Sequence, residues 1–362
     1  MMEAYDVIVV GAGPAGLGAA IEAKKHGASV LLLDENSRPG GQLFKQIHKF
    51  FGSEAHYAGT RGYLIGQNLL SEAESLGVEF RLGVRVWGVY PDGGVTATNG
   101  ETSERYFGKK IVLATGATEN ALSFPGCTLP GVMTAGAVQT MINVQHVLPG
   151  KRFVVVGSGN VGLIVTYQLL QAGADVACIL EAAQKINGYG VHAAKVKRAG
   201  VPILTGHTII GANGTDGLES IVISKVDACF CPIPGTEEAI ACDTVALAVG
   251  LSPRVELAGV SGCKMAYSPA LGGILPLHGA DMETTCANIL VAGDLTGIEE
   301  ASTALDEGRM AGCRAAYALG HLTQEEYEEN KRVLLERLNA LRCGPFGEKR
   351  RTAKEALWNA MN

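Results

Sequence analysis

The chain has 362 residues, 36 acidic and 30 basic side chains, a net charge of -6 and an isoelectric point near 5.8. This balance gives no global basic field, so a nucleic-acid partner is not expected. No apolar run reaches the ~18 residues that cross a bilayer, and the N-terminal residues lead into a strand without a signal-peptide pattern. We expect two domains, no transmembrane segment and a cytoplasmic location.

Residues 7–36 open with an apolar, β-branched run that predicts a strand buried on both faces of a parallel sheet. Three glycines follow at G-x-G-x-x-G spacing, and then a helix and a second strand that ends in two acids. Such glycines allow a tight turn, approach of a pyrophosphate and close helix packing, while the acid accepts a hydrogen bond from ribose. The pattern predicts a dinucleotide site built from Gly11, Gly13, Gly16 and Asp34 or Glu35.

The next predicted elements are a helix from Arg61 to Leu76 and a hairpin formed by residues 83–90 and 95–98 around the turn PDGG. A buried strand is predicted at residues 110–117. It ends in small residues, which allow a ligand to come close.

Residues 153–182 repeat the whole plan of the first unit, with Gly157, Gly159 and Gly162 in the turn and Glu181 as the terminal acid. One such turn is a weak indication, but two complete units predict two bound dinucleotides. That arrangement suits hydride transfer between two redox cofactors. Because Glu181 would repel a ribose 2′-phosphate and no arginine follows it, we expect this unit to prefer a dinucleotide without a 2′-phosphate.

Further strands are predicted at residues 203–208, 218–226 and 243–251, and an apparent strand at 228–233 contains Cys229 and Cys231. Side chains two apart on a strand point the same way, which leaves a metal or redox role for this pair open. No second cysteine pair stands at zinc or iron–sulfur spacing, and the eight histidines show no ligand spacing. We therefore expect no metal site.

The chain ends with a predicted strand at residues 288–297 that carries Asp294, a helix lined with small residues, and a charged tail from residue 322. In the tail, residues 323–341 predict an amphipathic helix, and a basic run with one late tryptophan follows. The tail is either solvated or a docking segment. No side chain stands out as a catalytic acid, base or nucleophile, and four histidines are expected to be surface or core residues: His48, His56, His146 and His278.

These residues carry a resemblance to a known superfamily. The opening GAGPAG, PGGQ at 39–42, ATGA at 114–117, the second glycine motif and VAGD at 291–294 resemble the two-dinucleotide-binding flavoproteins, the pyridine nucleotide-disulfide oxidoreductase superfamily. Stretches such as CDTVALAVGLSPRVELA are similar to the FAD/NAD-type subunit of multi-subunit amine and amino-acid dehydrogenases. That group includes opine oxidases, hydrogen cyanide synthase, dye-linked proline dehydrogenases and the sarcosine oxidase large chain.

The expected fold is α/β, with two Rossmann-like dinucleotide-binding domains. A discontinuous FAD domain would comprise residues 1–117 and 285–321, an inserted NAD domain residues 118–284, and a helical tail residues 322–362. Both units are complete without the tail, so its removal is expected to leave FAD bound and to abolish binding of a partner.

The resemblance implies FAD in the first unit and NAD(H) in the second, and it implies a role for each matching residue. The flavin would face the N-terminus of the late helix, where negative charge develops on reduction. The implied FAD contacts are Gly11, Gly13, Pro14, Ala15 and Gly16 (pyrophosphate), Asp34 or Glu35 (adenosine ribose), Gly41 and Gln42 (flavin side), Val86 (adenine), Thr115 and Gly116 (pocket), Gly293 and Asp294 (ribityl chain), and Glu300 and Ala301 (helix start). The implied NAD(H) contacts are Gly157, Gly159, Asn160, Gly162 and Glu181.

Two departures from the superfamily narrow the expected activity. Its disulfide reductases place a C-x-x-C or C-x-x-x-x-C pair against the flavin, and neither pattern occurs here, so thiol–disulfide reduction is not expected. Some relatives end in a cysteine-rich iron–sulfur module, whereas this tail contains only Cys343.

Three functions remain open at this point. The first is an FAD-dependent subunit that transfers electrons among FAD, NAD(H) and a partner in an amine or amino-acid dehydrogenase complex. The implied partners are a substrate-oxidising flavoprotein subunit and a small iron–sulfur protein. The second is a self-sufficient NADH:acceptor reductase acting on a ferredoxin, a quinone or a dye. The third is a subunit that binds nucleotide without catalysis.

Overall fold

A computed structural model describes residues 4–361; the predicted domain edges at residues 1 and 362 lie outside this range. The fold divides into two compact units. The first unit contains the chain up to residue 118 and from residue 252 onward, and the second contains residues 119–251. The chain therefore returns to the first unit earlier than the predicted residue 285. The reason is that residues 255–263 pack into the core of the first unit, where Ala258 and Cys263 are buried.

Between residues 4 and 119 the chain contains seven strands and two helices. The strands are β1 (Ala4–Val10), β2 (Val30–Asp34), β3 (Glu79–Leu82), β4 (Arg85–Val89), β5 (Gly94–Thr98), β6 (Ser103–Leu113) and β7 (Ala117–Glu119), and the helices are α1 (Pro14–Lys25) and α2 (Gly62–Ser75). Short 3-10 turns lie at Gly41–Lys45 and Glu54–His56.

The second unit follows with eight strands and three helices. The strands are β8 (Val132–Thr134), β9 (Arg152–Val156), β10 (Asp175–Glu181), β11 (Ile203–Thr205), β12 (His207–Asn213), β13 (Ser220–Lys225), β14 (Glu238–Ala241) and β15 (Thr244–Leu247). The helices are α3 (Ala135–Thr140), which continues as a π-helical turn at Met141–Gln145, α4 (Asn160–Gln171) and α5 (Gly190–Arg198).

The last stretch of chain completes the first unit. Its elements are β16 (Leu251–Pro253), α6 (Glu256–Val260), β17 (Met265–Ser268), β18 (Gly273–Pro276), β19 (Ile289–Val291), α7 (Ala301–Ala318), α8 (Gln324–Leu341) and α9 (Gly344–Met361), with 3-10 turns at Pro269–Leu271 and Gly293–Thr296.

The main sheet of the first unit has the strand order β3-β2-β1-β6-β5-β4, and β19 also pairs with β6. The pairs among β1, β2, β3, β6 and β19 are parallel, whereas β4, β5 and the start of β6 form an antiparallel meander. Residues 7–10 are buried because cores cover both faces of the sheet. The run of apolar residues without alternation is what such a strand requires.

The second unit repeats this plan in a parallel sheet with the order β11-β10-β9-β15-β8, next to an antiparallel sheet with the order β12-β13-β14. Its two cores lie on the two sides of β9 and β15. The predicted α/β class with two Rossmann-like units and a helical C-terminal stretch is confirmed. Within residues 4–361, no helix is both long enough and apolar enough to cross a membrane.

One predicted strand is wrong. Residues 228–233 form a turn between β13 and β14, in which Asp227 Oδ1 accepts hydrogen bonds from the N–H groups of Cys229 and Cys231 at 2.8 and 2.9 Å. Phe230 between them has a φ of +62°, in the left-handed region. The turn forms because the aspartate caps these N–H groups and two prolines follow, which a strand interior does not accept.

Candidate functional site

The glycine-rich turn between β1 and α1 uses its glycines in two different ways. Gly11 has a φ of +104°, and a Cβ on it would overlap the carbonyl oxygen of Ala114, while a Cβ on Gly16 would overlap the carbonyl oxygen of Gly11. Gly13 has an ordinary φ of -73°, and a Cβ built on it meets nothing within 4 Å. The fold therefore requires glycine at 11 and 16, whereas at 13 glycine leaves an open space that a pyrophosphate fits.

The acid at the end of β2 is anchored to this turn. Asp34 Oδ2 accepts a hydrogen bond from Ala12 N at 2.6 Å, and Oδ1 accepts from the backbone and side-chain nitrogens of Asn36. A carboxylate has about four acceptor sites, so one is left for a ribose hydroxyl. Glu35 is instead in ion pairs with Arg254 and Arg85. The Arg254 hydrogen bond is the main reason that the pKa of Glu35 lies below its usual range.

Two distant motifs meet this same turn. Gly40 N donates to Ala12 O at 2.7 Å, and Gly41 approaches Gly13 so closely that a Cβ on Gly41 would lie 2.8 Å from Gly13 Cα. A Cβ on Gly293 would lie 2.7 Å from Ala15 Cβ at the start of α1. The fold thus brings the opening glycines, the PGGQ motif and the late VAGD motif together.

The other predicted FAD residues surround this centre at different degrees of exposure. Gln42 and Glu300 are exposed, and Glu300 occupies the N-cap position of α7, which starts at Ala301. Val86 lies on β4, opposite Ala97. The residues of the ATGA motif bind Arg254: Thr115 Oγ1 donates to Arg254 O at 2.8 Å, and Arg254 N donates to Gly116 O at 3.0 Å.

Asp294 lies on the 3-10 turn that follows β19. Burial raises the pKa of Asp294 to about 7, and the nearby carboxylates of Glu307 and Glu299 act in the same direction. The turn itself is held by Glu307, whose Oε2 accepts from Gly293 N at 3.0 Å and from Thr296 Oγ1 at 2.7 Å. A carboxylate on α7 therefore positions the backbone that carries Asp294.

The C-terminal tail is part of this unit. Arg342 and Lys354 are almost completely buried, and both donate to Glu307. The expectation that the first unit is complete without residues 322–362 is wrong, because these residues belong to the first unit and supply the cationic partners of the buried Glu307.

The second unit has the same geometry around its own turn. Gly157 has a φ of +106°, a Cβ on Gly162 would overlap Gly157 O, and a Cβ on Gly159 meets nothing within 4 Å. Glu181 is buried and accepts from Ser158 N at 3.0 Å, Ser158 Oγ at 2.5 Å and Ala183 N at 2.9 Å. Asn160 Oδ1 accepts from Tyr189 N at 2.8 Å and so holds the chain before α5.

Sequence reasoning missed the position of His56. This histidine is buried, and its Nε2 lies 2.7 Å from Asp306 Oδ2 on α7, while its Nδ1 lies 2.9 Å from Ser53 Oγ. It also lines a small apolar cavity shared with Pro14 and Ala301. No local spacing indicates this pairing, because 250 residues separate the two partners.

The cysteine pair does not extend to a metal site. Cys229 and Cys231 are exposed on their turn, and no group of three or more potential metal ligands occurs among residues 4–361.

Two parallel sheets, each with an open glycine position and an anchored acid, define a protein that binds two dinucleotides. The pyridine nucleotide-disulphide oxidoreductase family matches residues 5–308, and the chain belongs to this family. The predicted cofactors, FAD and NAD(H), are those of this family, and the open positions at Gly13 and Gly159 fit them.

Two relatives are subunits of larger enzymes. An opine oxidase subunit from Rhizobium meliloti (strain 1021) is 30% identical over 347 residues, which cover 90% of this chain and 73% of that protein. Hydrogen cyanide synthase subunit HcnB of Pseudomonas protegens is 27% identical over 339 residues, which cover 88% and 71%. The predicted resemblance to subunits of this type is confirmed.

The same fold occurs in thioredoxin reductase. The crystal structure of the T. acidophilum enzyme matches with a TM-score of 0.71 and 22% identity, over 88% of this chain and 99% of that one. At this identity the match shows a shared fold.

Proposed function

We propose that this chain is the FAD- and NAD(H)-binding subunit of an amine or amino-acid dehydrogenase complex and transfers electrons among FAD, NAD(H) and a partner subunit. The single observation that carries the proposal is the presence of two complete dinucleotide units in a chain whose relatives are subunits. FAD supplies the two-electron chemistry when bound. The chain's own residues bind and orient the cofactors: the turns at Gly13 and Gly159 receive the pyrophosphates, and Asp34 and Glu181 the riboses.

We further propose that the chain is not a thiol–disulfide reductase, although thioredoxin reductase shares its fold. Support comes from the cysteines: they include no C-x-x-C pair, and the neighbouring pair Cys229 and Cys231 lies on an exposed hairpin turn of the second unit. An assay with NADH or NADPH and a disulfide substrate should show no turnover. The cytoplasmic location is kept as part of the proposal and is checked by cell fractionation.

The proposal is tested with tagged protein from its own cells. Native mass spectrometry should show a hetero-oligomer with FAD bound, in which the partners are a substrate-oxidising flavoprotein subunit and a small iron–sulfur protein. The isolated chain should be yellow, and NADH should reduce its flavin anaerobically faster than NADPH. A folded, colourless chain that FAD cannot reconstitute would contradict the cofactor assignment.

The isolated chain and the complex are then compared with an amino acid or secondary amine and a dye acceptor. Only the complex should turn over. Turnover by the isolated chain at tens per second, within the ordinary enzyme range, would contradict the subunit role.

A self-sufficient NADH:acceptor reductase is the second candidate. It is favoured by the second unit, whose buried Glu181 and open Gly159 fit NADH without help from another chain. In that case the isolated chain oxidises NADH with a ferredoxin, quinone or dye acceptor, and no partner copurifies. If the flavin is bound but neither nicotinamide cofactor reduces it, a nucleotide-binding subunit without catalysis is supported instead.

A further inference from the structure

A cluster of four charged side chains lies beneath the turn that carries Asp294. Glu307 Oε1 accepts from Arg342 Nη2 at 2.5 Å and from Lys354 Nζ at 2.7 Å. Arg342 also binds both oxygens of Glu299, at 2.7 and 2.9 Å, and Lys354 donates to Thr296 Oγ1 at 2.5 Å. The two cations come from the end of α8 and from α9, and the two carboxylates come from α7 and the residue before its N-cap.

Because these four groups are buried, an uncompensated charge among them costs free energy. Arg342 is 1% exposed and Lys354 is 0% exposed. Burial alone would raise the pKa of Glu307, but the charges of Lys354 and Arg342 outweigh it and lower the pKa to about 2. Two negative charges and two positive charges cancel, so the loss of one cation leaves a net negative charge in a site that water does not reach.

The second carboxylate oxygen of Glu307 connects the charged cluster to the turn that carries Asp294. Glu307 Oε2 accepts from Gly293 N and Thr296 Oγ1, the first and last residues of the turn. Gly293 packs on Ala15 at the start of α1, which is where the pyrophosphate is proposed to bind. Glu299 stands at the start of α7, where a reduced flavin would place its negative charge.

We infer that Arg342 and Lys354 are positioning residues of the flavin site: by neutralising Glu299 and Glu307 they hold the Gly293–Thr296 turn and favour the reduced flavin. The inference rests on the proposed function, since it requires FAD in the first unit. The C-terminal helices α8 and α9 are then a part of the cofactor site and not a separate docking segment.

The test is Lys354→Met in the full-length chain, which removes one cation and keeps much of the side-chain volume. FAD affinity is measured by fluorescence titration, and the midpoint potential of the bound flavin by reductive titration with a reference dye. We expect oxidised FAD to bind at least about tenfold more weakly and reduced FAD about a further tenfold more weakly, which is a shift of about 30 mV to more negative potential for a two-electron couple.

Two further variants separate charge from packing. Lys354→Met combined with Glu307→Gln restores the charge balance and should return the potential to the wild-type value. Arg332→Met is the matched control, because it removes an exposed cation from α8 whose partners are Glu329 and Glu336. It should leave both FAD affinity and potential unchanged.

Each outcome distinguishes this inference from the proposed function. Failure of the folded wild-type chain to bind FAD overturns the proposed function. If the wild type binds FAD and Lys354→Met folds with unchanged affinity and potential, only the positioning role is overturned. If Lys354→Met does not fold, Arg342→Lys decides, because it keeps the charge and loses the two-pronged contact with Glu299. Weaker FAD binding at the wild-type potential supports the inference, and unchanged binding overturns it.

Discussion

The glycine-rich turns of the two units are held by the same backbone hydrogen bonds. In each unit the first glycine donates to the neighbouring strand, the strand that ends in small residues donates back to the first strand, and a later glycine donates to the residue before the open position. The corresponding donor–acceptor pairs are Gly11–Leu33 and Gly157–Leu180, Ala114–Val10 and Ala248–Val156, and Gly40–Ala12 and Gly188–Ser158. The lengths of these bonds lie between 2.7 and 2.8 Å in both units.

The units differ in what packs behind the turn. In the first unit, α7 crosses α1 so closely that a Cβ on Gly308 would overlap Ala15 O, and one on Gly312 would overlap Ala19 O. Strand β19 and the buried Glu307 complete that side. In the second unit, α4 packs against α3 and α5, and Gln168 on α4 accepts from Gln139 on α3.

This difference indicates how one nucleotide turn can serve two cofactors. In the proposed assignment, the turn binds the part that FAD and NAD(H) share, the pyrophosphate and adenosine ribose. The added strand and helix of the first unit bring Gly293, the residue before Asp294, to Ala15 beside the glycine-rich turn. We propose that these added groups serve the flavin, which NAD(H) lacks.

The largest expected effect comes from placing a side chain in the close contact between α1 and α7. Gly308→Val should destabilise the first unit by more than about 4 kcal/mol, because its side chain would overlap the backbone of α1. Both tryptophans, Trp87 and Trp358, lie in the first unit, so their fluorescence reports its unfolding in denaturant. Gly190→Ala at the start of α5, where a Cβ meets nothing within 4 Å and φ is not positive, is the control and should leave this fluorescence transition unchanged.

Substitution at the open glycines should remove one cofactor at a time. Gly13→Val should weaken FAD binding at least about 100-fold, roughly 3 kcal/mol, and Gly159→Val should do the same for NADH. Neither change should alter the fold, since both glycines have ordinary φ values and open space at Cβ. The readouts are flavin content and NADH titration, with circular dichroism to check folding.

The opposite pattern of cofactor loss would contradict the assignment of the two turns. If Gly159→Val loses FAD while Gly13→Val keeps it, the cofactor assignment of the units is reversed. Gly16→Val is the contrasting variant. The valine Cβ would overlap Gly11 O, so we expect this variant not to fold.

The two anchored acids, Glu181 and Asp34, should affect different properties of cofactor binding. Glu181→Gln keeps an acceptor for Ser158 or Ala183 but removes the charge that repels a 2′-phosphate, so the preference for NADH over NADPH should fall about tenfold. Asp34→Asn is the matched change in the first unit and should weaken FAD without altering the nicotinamide preference. Stopped-flow reduction of the flavin by each cofactor measures the nicotinamide preference of both variants, and fluorescence titration measures their affinity for FAD. An unchanged ratio in Glu181→Gln would show that another residue selects the cofactor.

The sequence predicted the parts of each unit that depend on local patterns. The strand, turn, helix and terminal acid are contiguous, so Gly11–Asp34 and Gly157–Glu181 could be placed from spacing alone. The start of α8 was also available from sequence, because Thr323 and Glu326 form a capping box at the helix start. The turn at Cys229 could have been recognised from Pro232 and Pro234, which are poor residues for a strand interior.

The charged cluster could not be predicted in this way. Glu307 and Arg342 are 35 residues apart, and Glu307 and Lys354 are 47 apart, on helices whose charged residues predict exposed faces. The packing of α9 against the turn at Pro269–Leu271, with Leu357 buried on Leu271 and Leu275, brings Lys354 inward. Tertiary packing therefore decided the role of the tail, and local pattern did not.

The smallest expected effect compares one histidine from each unit. His278 Nδ1 lies 2.8 Å from Pro276 O, and His207 Nδ1 lies 2.8 Å from Thr205 O, so both rings bind the carbonyl two residues earlier. His278 is fully buried, whereas His207 is partly exposed. Burial lowers the pKa of His278 to about 3, and the charge of Lys354 acts in the same direction.

The sign of the pH effect follows from this lowered pKa. The unfolded chain takes up the proton near pH 6.5 and the folded chain only near pH 3, so the stability that the neutral ring contributes is present above about pH 6.5 and is lost as the pH falls. His278→Asn keeps a donor for Pro276 O and removes the titration. Between pH 7 and pH 5 the wild type should lose about 2 kcal/mol more than this variant in tryptophan-monitored unfolding. His207→Asn lies in the second unit and should leave this tryptophan-monitored transition of the first unit unchanged. Equal slopes in the wild type and His278→Asn would mean that the His278 ring takes up its proton in the folded state.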